Sequence, residues 1–171
     1  MSATEHESIK TLTGGDSFCY FTFKVHPSEV DPTTWRTALV LAGKYPLHNI
    51  VFEIYDIEHA AHNLPNGLLP DSWHSHVEVA SMTPVMPVRM FPPVQLEGTD
   101  GHAMLVWFSA DNGFWRQRTI FQHISGNWVY ATKVTKGNRR NGKWSESVVL
   151  EYASPAFPRS PSQQIEWAQV P

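Results

Sequence analysis

His74, His76 and Glu78, within WHSHVEVA, are the residues of this chain best spaced for metal chemistry. At alternate positions of a strand they share one face, about 7 Å apart per step pair, and two imidazoles with a carboxylate begin a shell for divalent iron, manganese or zinc. The competing reading is a set of polar or interface histidines with no cofactor at all. His59-x-x-His62 lacks the four-residue spacing and the intervening Glu of a helical zinc site, so it reads as a surface pair. No G-x-S-x-G, no Ser/His/Asp order and no phosphate-cradling glycine pattern is present; Gly14-Gly15 stand alone. Glu53, Asp56 and Glu58 match no spacing rule and read as a solvated strand edge. Cys19 is the sole cysteine, which excludes an internal disulfide, and its apolar surroundings predict a buried, inert thiol.

The cations are clustered. Lys133, Lys136, Arg139, Arg140 and Lys143 put five of the 13 basic residues into a stretch of 11, centred on a turn. Such a hairpin tip is either a solvated end or a contact for nucleic acid or an acidic partner. Arg116 and Arg118 alternate with Trp115 and Gln117, a pattern that sends guanidinium groups to one face of a strand and the indole to the other. Against 16 acidic residues the net charge is −3, which argues against a strongly basic nucleic-acid binder.

These residues need a frame, and the frame reads as strands. Its 171 residues fit one domain with a sizeable core. Seven Trp, nine Phe and five Tyr, with charged residues at 17%, suit a sandwich or barrel, and 13 Pro suit many short strands. Residues 1–16 are polar and read as a mobile arm, 17–158 as a single β domain, and 159–171 as a proline-punctuated tail. FCYFTFKV is a strand covered on both faces. Asp31 as cap, Pro32 at the first helical position, and Trp35, Leu39 and Ala42 at i, i+4, i+7 predict one inserted helix from about 32 to 44. NIVFEIYDI alternates as a strand. Residues 58–72 read as a functional or interface loop, and the prolines of 82–95 place that stretch on an edge or over the surface. AMLVWFSA, FWRQRTIFQHI, NWVYATKVT and KWSESVVLEY, separated by DNG, SG and KGNRRNG, predict four antiparallel strands. MSATEHESIK lacks the basic start and apolar run of a secretory signal, and no stretch is long and apolar enough to span a bilayer. The expectation is a chain without a membrane partner, cytoplasmic unless it resides in a virion.

Together these elements predict an all-β, antiparallel jelly-roll sandwich or barrel with one short inserted helix. The stretch FTFKVHPSEVDPTTWRTALVLAGKYPLHNIVFEIYD resembles the early part of small icosahedral virus coat proteins, and VVLEYASPAFPRSP is similar to the last strand of such subunits. The resemblance implies a self-assembling shell subunit whose partners are copies of itself and RNA or DNA, the latter met by Lys133, Lys136, Arg139, Arg140 and Lys143. Coat-protein arms are often basic, whereas this arm is acidic, so assembly is expected to rest on subunit contacts. His74-x-His76 resembles the His-x-His entrance of the cupins, although Glu78 follows sooner than the cupin carboxylate and the second cupin motif has no counterpart. Two alternatives to the shell subunit follow: a small β-barrel binding protein or enzyme of cyclase, isomerase or dehydratase type with an aromatic-lined cavity, and a cupin-like metal enzyme using His74 and His76.

Overall fold

The computed structural model describes residues 3–25, 33–56, 74–96, 101–140 and 143–167. Nine strands follow a short helix: α1 (Ala3–Thr13), β1 (Phe18–Val25), β2 (Thr34–Ala42), β3 (Leu47–Asp56), β4 (His74–Met82), β5 (Val88–Gln95), β6 (Gly101–Ala110), β7 (Gly113–Ile124), β8 (Asn127–Arg140) and β9 (Lys143–Ala153). They form an all-β sandwich of two antiparallel sheets, one ordered β1-β2-β5 and the other β4-β3-β6-β7-β8-β9. From β6 onward each strand pairs with the next, so the larger sheet ends as a meander, and the paired Greek keys of a jelly roll are not seen among the described residues.

The four strands expected after residue 100 form in that order. Ser125 and Gly126, both at positive φ (50° and 82°), close β7 onto β8 with the two-residue turn that matches strand twist. Asp111 and Asn112 join β6 to β7.

The expected helix over 32–44 is corrected to strand β2. Trp35, Thr37, Leu39 and Leu41 are buried while Arg36, Ala38, Val40 and Ala42 are less so, which is a period of two. Trp35 and Leu39 satisfy both periods; Leu41 and the β-branched Thr34, Thr37 and Val40 decide for the strand. The helix instead lies inside the stretch read as an arm. Glu7 ties α1 to the β2–β3 connection, accepting hydrogen bonds from the Tyr45 hydroxyl (3.0 Å) and from Lys44 (3.2 Å). β5 bears out the proline argument: it is an edge strand, and Pro92-Pro93 coincide with the register shift opposite Trp35 and Thr37. The loop read over 58–72, with His59 and His62, lies outside the described residues.

Between the sheets sits an aromatic core. Phe21 meets Phe52 and Phe91 edge-on at 5.3 Å, and Phe108 stacks on Trp115 at 5.6 Å and 9°. Removing each such ring from water stabilises the fold by roughly 1.5–3 kcal/mol. A second core forms on the outside of the larger sheet, where Phe157 and Ile165 of the chain's last turns cover Leu105, Ile120 and Ala131. Part of the expected tail is therefore packed structure.

Candidate ligand cleft

Three strands cannot cover six. Among the described residues the smaller sheet ends at β1, with no strand above the inner face of β9 and the neighbouring part of β8, and a cleft of about 770 Å³ opens there. Such a volume suits an organic ligand.

One wall of the cleft is the free edge of β1, and three of its backbone groups are already engaged. Gln117 accepts the Phe21 N–H through Oε1 (2.7 Å) and donates from Nε2 to the Phe21 carbonyl (2.8 Å), while the Trp115 indole N–H donates to the Cys19 carbonyl (2.6 Å). Side chains rising from β7 thus do for the middle of β1 what a neighbouring strand would do. Gln117 is completely buried, and its Nε2 also reaches Thr119 (3.2 Å) and Thr132 (2.9 Å), so the network closes the middle of this edge to an incoming peptide.

The floor is aromatic. Tyr130 packs against Phe23 and Trp35, each at 5.7 Å and near perpendicular, and against Tyr152 at 5.2 Å. Burial, reinforced by the neighbouring Tyr152, pushes the Tyr130 phenol up to about 12, so it stays protonated at neutral pH and is a donor as well as an acceptor. Polar groups come from β1, through Thr22 and Lys24; Glu151 borders the cleft on β9, but it is the register partner of Lys133 and its side chain shares the outer face of the larger sheet. Among the described residues that line the cleft there is no imidazole or thiol. Cys19 is fully buried behind β1, and burial raises its thiol pKa far above the ordinary value, which removes the nucleophilic thiolate. These groups can bind, orient and desolvate a ligand.

Other residues singled out in the sequence lie elsewhere. Arg116 and Arg118 face outward on β7 while Trp115 and Gln117 face inward, as the alternation predicts. Arg116 pairs with Glu146 (2.7 Å) and lies 5.5 Å over the half-exposed Trp107. Lys133 and Lys136 are three apart in a strand and therefore point to opposite faces. Lys133 sits against Trp167 at 4.5 Å on the outside, and Lys136 is half-buried on the inside with Asp16 nearby; burial pulls both ammonium pKa values down. The described part of the basic run does not form one surface. Arg139, Arg140 and Lys143 belong to the paired ends of β8 and β9, with side chains outside those described.

β4 begins at His74, whose side chain is likewise outside those described. His76 and Glu78 share its outer face: the His76 ring lies 3.5 Å from Glu78 and 3.9 Å from Glu53, whose carboxylate is held by the Tyr55 hydroxyl at 2.6 Å. This is an exposed polar cluster, and among the described residues no group of three or more His, Cys, Asp or Glu has the geometry to hold a metal ion.

Sequence reasoning reached none of the cleft tyrosines. Tyr20, Tyr130 and Tyr152 look like ordinary strand aromatics until the short sheet stops beside them. The one available signal is Gln117, an uncharged amide at an inward position among apolar neighbours. Comparison of the chain with family models, curated proteins and solved structures finds no match.

Proposed function

We propose that the protein is a β-sandwich binding module whose ligand occupies the cleft between β1 and β8–β9. One observation carries this reading: the cleft combines a partly exposed aromatic floor with a wall whose Phe21 backbone groups and Cys19 carbonyl are already hydrogen-bonded, so recognition there falls to side chains. A strand-adding peptide is disfavoured by the same feature. The test is titration with an apolar fluorescent dye. Dye emission should rise on binding to the wild-type chain and fall away in Tyr152→Ala and in the cleft-filling Thr22→Trp; equal binding by all three proteins would contradict the proposal.

A self-assembling subunit of the coat-protein kind is the second reading, favoured by a separate feature. Val85, Met86, Val88 and Met90 are exposed by 91%, 74%, 54% and 59% along the β4–β5 turn and the outer side of β5. Such an apolar row favours contact between copies. Light scattering distinguishes the two: a megadalton particle supports the shell, and a monomer or dimer favours the binding module.

A further inference from the structure

We infer that the outer face of the smaller sheet is the contact surface of a homodimer, in which two copies stack their β1-β2-β5 sheets face to face. An antiparallel sheet with one solvated face alternates apolar inside and polar outside. The smaller sheet breaks that pattern. Its inward positions, Phe21 and Phe23 on β1 and Trp35, Leu39 and Leu41 on β2, are buried, and the register sets the outward positions in rows across the strands. One row is Tyr20, Val40 and Val88; the next is Thr22, Ala38 and Met90. Phe18 and Ala42 pair beside the first row, with the Phe18 and Tyr20 rings 6.0 Å apart. Val88 and Met90 are exposed by 54% and 59%, and the others are each partly exposed. Among the described outward residues of this sheet, charge is confined to Lys24 and Arg36, which pair at one end.

The outer face of the larger sheet has the opposite character. Arg116, Arg118, Lys133 and Glu151 stand on it, and Phe157 and Ile165 cover its apolar part. Apolar residues at outward positions of an uncharged face mark a contact, and the exposed Val85 and Met86 of the β4–β5 turn extend it at the β5 edge.

This face is complementary to itself, which selects a second copy as the occupant. A two-fold axis lying between the stacked sheets and running across their strands, midway between the two rows, lays each row on the other. Tyr20 then meets Thr22 of the partner subunit, Val40 meets the partner's Ala38, and Val88 meets the partner's Met90, so the bulkier side chain twice meets the smaller one. The same axis carries Lys24 over Phe18 of the partner subunit, where ammonium and ring attract. An axis along β2 would instead set Arg36 on the partner's Arg36, a like-charge contact, so charge chooses the first arrangement. Three strands about 4.8 Å apart and about 24 Å long make a footprint that removes on the order of 1,000 Å² from water over two copies, the small end of specific interfaces. The contact closes on itself, yields a dimer that dissociates on dilution, and is independent of what the cleft binds.

The experiment is sedimentation velocity of the full chain over a concentration series. Val88→Glu and Met90→Glu put a carboxylate into the contact without touching the core, and urea melting verifies that both fold; Val148→Glu, exposed to a similar degree (57%) on the larger sheet, is the control. The wild-type chain should dimerise, with a dissociation constant that rises about tenfold or more in Val88→Glu and Met90→Glu and stays unchanged in Val148→Glu. A dimer equally tight in all four proteins overturns this surface and leaves contact between copies standing elsewhere on the chain. A particle larger than a dimer overturns the closed two-fold arrangement. A wild-type chain still monomeric at about 200 μM overturns the inference and self-association together. A monomer that binds vesicles of phosphatidylserine and phosphatidylcholine, and loses them in Met90→Glu, assigns the face to a membrane surface and overturns the dimer as well.

Discussion

The side-chain amide of Gln117 hydrogen-bonds both backbone groups of Phe21, taking its N–H at 2.7 Å and giving an N–H to its carbonyl at 2.8 Å, as a neighbouring strand would. Together with the Trp115 indole N–H on the Cys19 carbonyl at 2.6 Å, this pair joins the two sheets of the sandwich by polar contact within a largely apolar interface. It also fixes β1 at the height that sets the width of the cleft.

Replacing Gln117 with Leu keeps the volume nearly unchanged but orphans the buried N–H and C=O of Phe21. Each unsatisfied group costs about 1–3 kcal/mol, so Gln117→Leu is expected to destabilise by about 2–5 kcal/mol in urea melting. A loss under about 1 kcal/mol would show that water or a backbone shift replaces the amide.

Trp35 tests the same interface from β2. It is only 4% exposed and packs edge-on against Phe121 and Tyr130 at 5.7 Å. Trp35→Ala should therefore cost about 3–5 kcal/mol and widen the cleft floor, read as lower stability together with altered dye binding. The magnitude is the one expected for a helix-borne Trp; the packing partner and the reason are different.

That difference shows how far the sequence speaks. Alternation and two-residue turn signals made the β6–β9 meander legible, because Arg116 and Arg118 against Trp115 and Gln117 can fit no other period. Trp35 and Leu39 are four apart and even in register, so they satisfy a helix and a strand alike, and Asp31-Pro32 tipped the balance the wrong way. Helix α1 was missed because ATEHESIKTLT carries no apolar stripe; Ile9 and Leu12 are exposed, and the Glu7–Tyr45 contact that holds it is long-range. The cleft was not legible at all. It arises from the number of strands in each sheet, and no local pattern around Tyr20, Tyr130 or Tyr152 encodes that count.

Tyrosine ionisation should appear as a loss of stability at high pH. The Tyr130 phenol is raised by burial, and that of Tyr55 by its hydrogen bond to Glu53, each to about 12 from an ordinary value of 10. The unfolded chain therefore releases these protons first, and stability falls as pH rises from about 10 to about 12. In Tyr130→Phe the fall should be shallower, and chemical denaturation across that window measures it. An unchanged slope would show that the Tyr130 phenol titrates normally.

Gly43 is held at φ 115°, where a Cβ is strained, and that Cβ would run into Ser17, itself buried and bonded to the Tyr45 N–H at 3.0 Å. Gly43→Ala should cost about 2 kcal/mol or more, measured by urea melting. A neutral effect would mean that the β2–β3 crossing relaxes.

Amide shift mapping by NMR tests the cleft most directly. With the apolar dye added to the wild-type chain, the perturbed amides should cluster at residues 20–24, 130–132 and 150–152, the two walls and floor of the cleft. Perturbations concentrated instead around Trp107, Arg116 and Arg118 on the outer face, or absent from the chain, would contradict the assignment of this cleft as the ligand site.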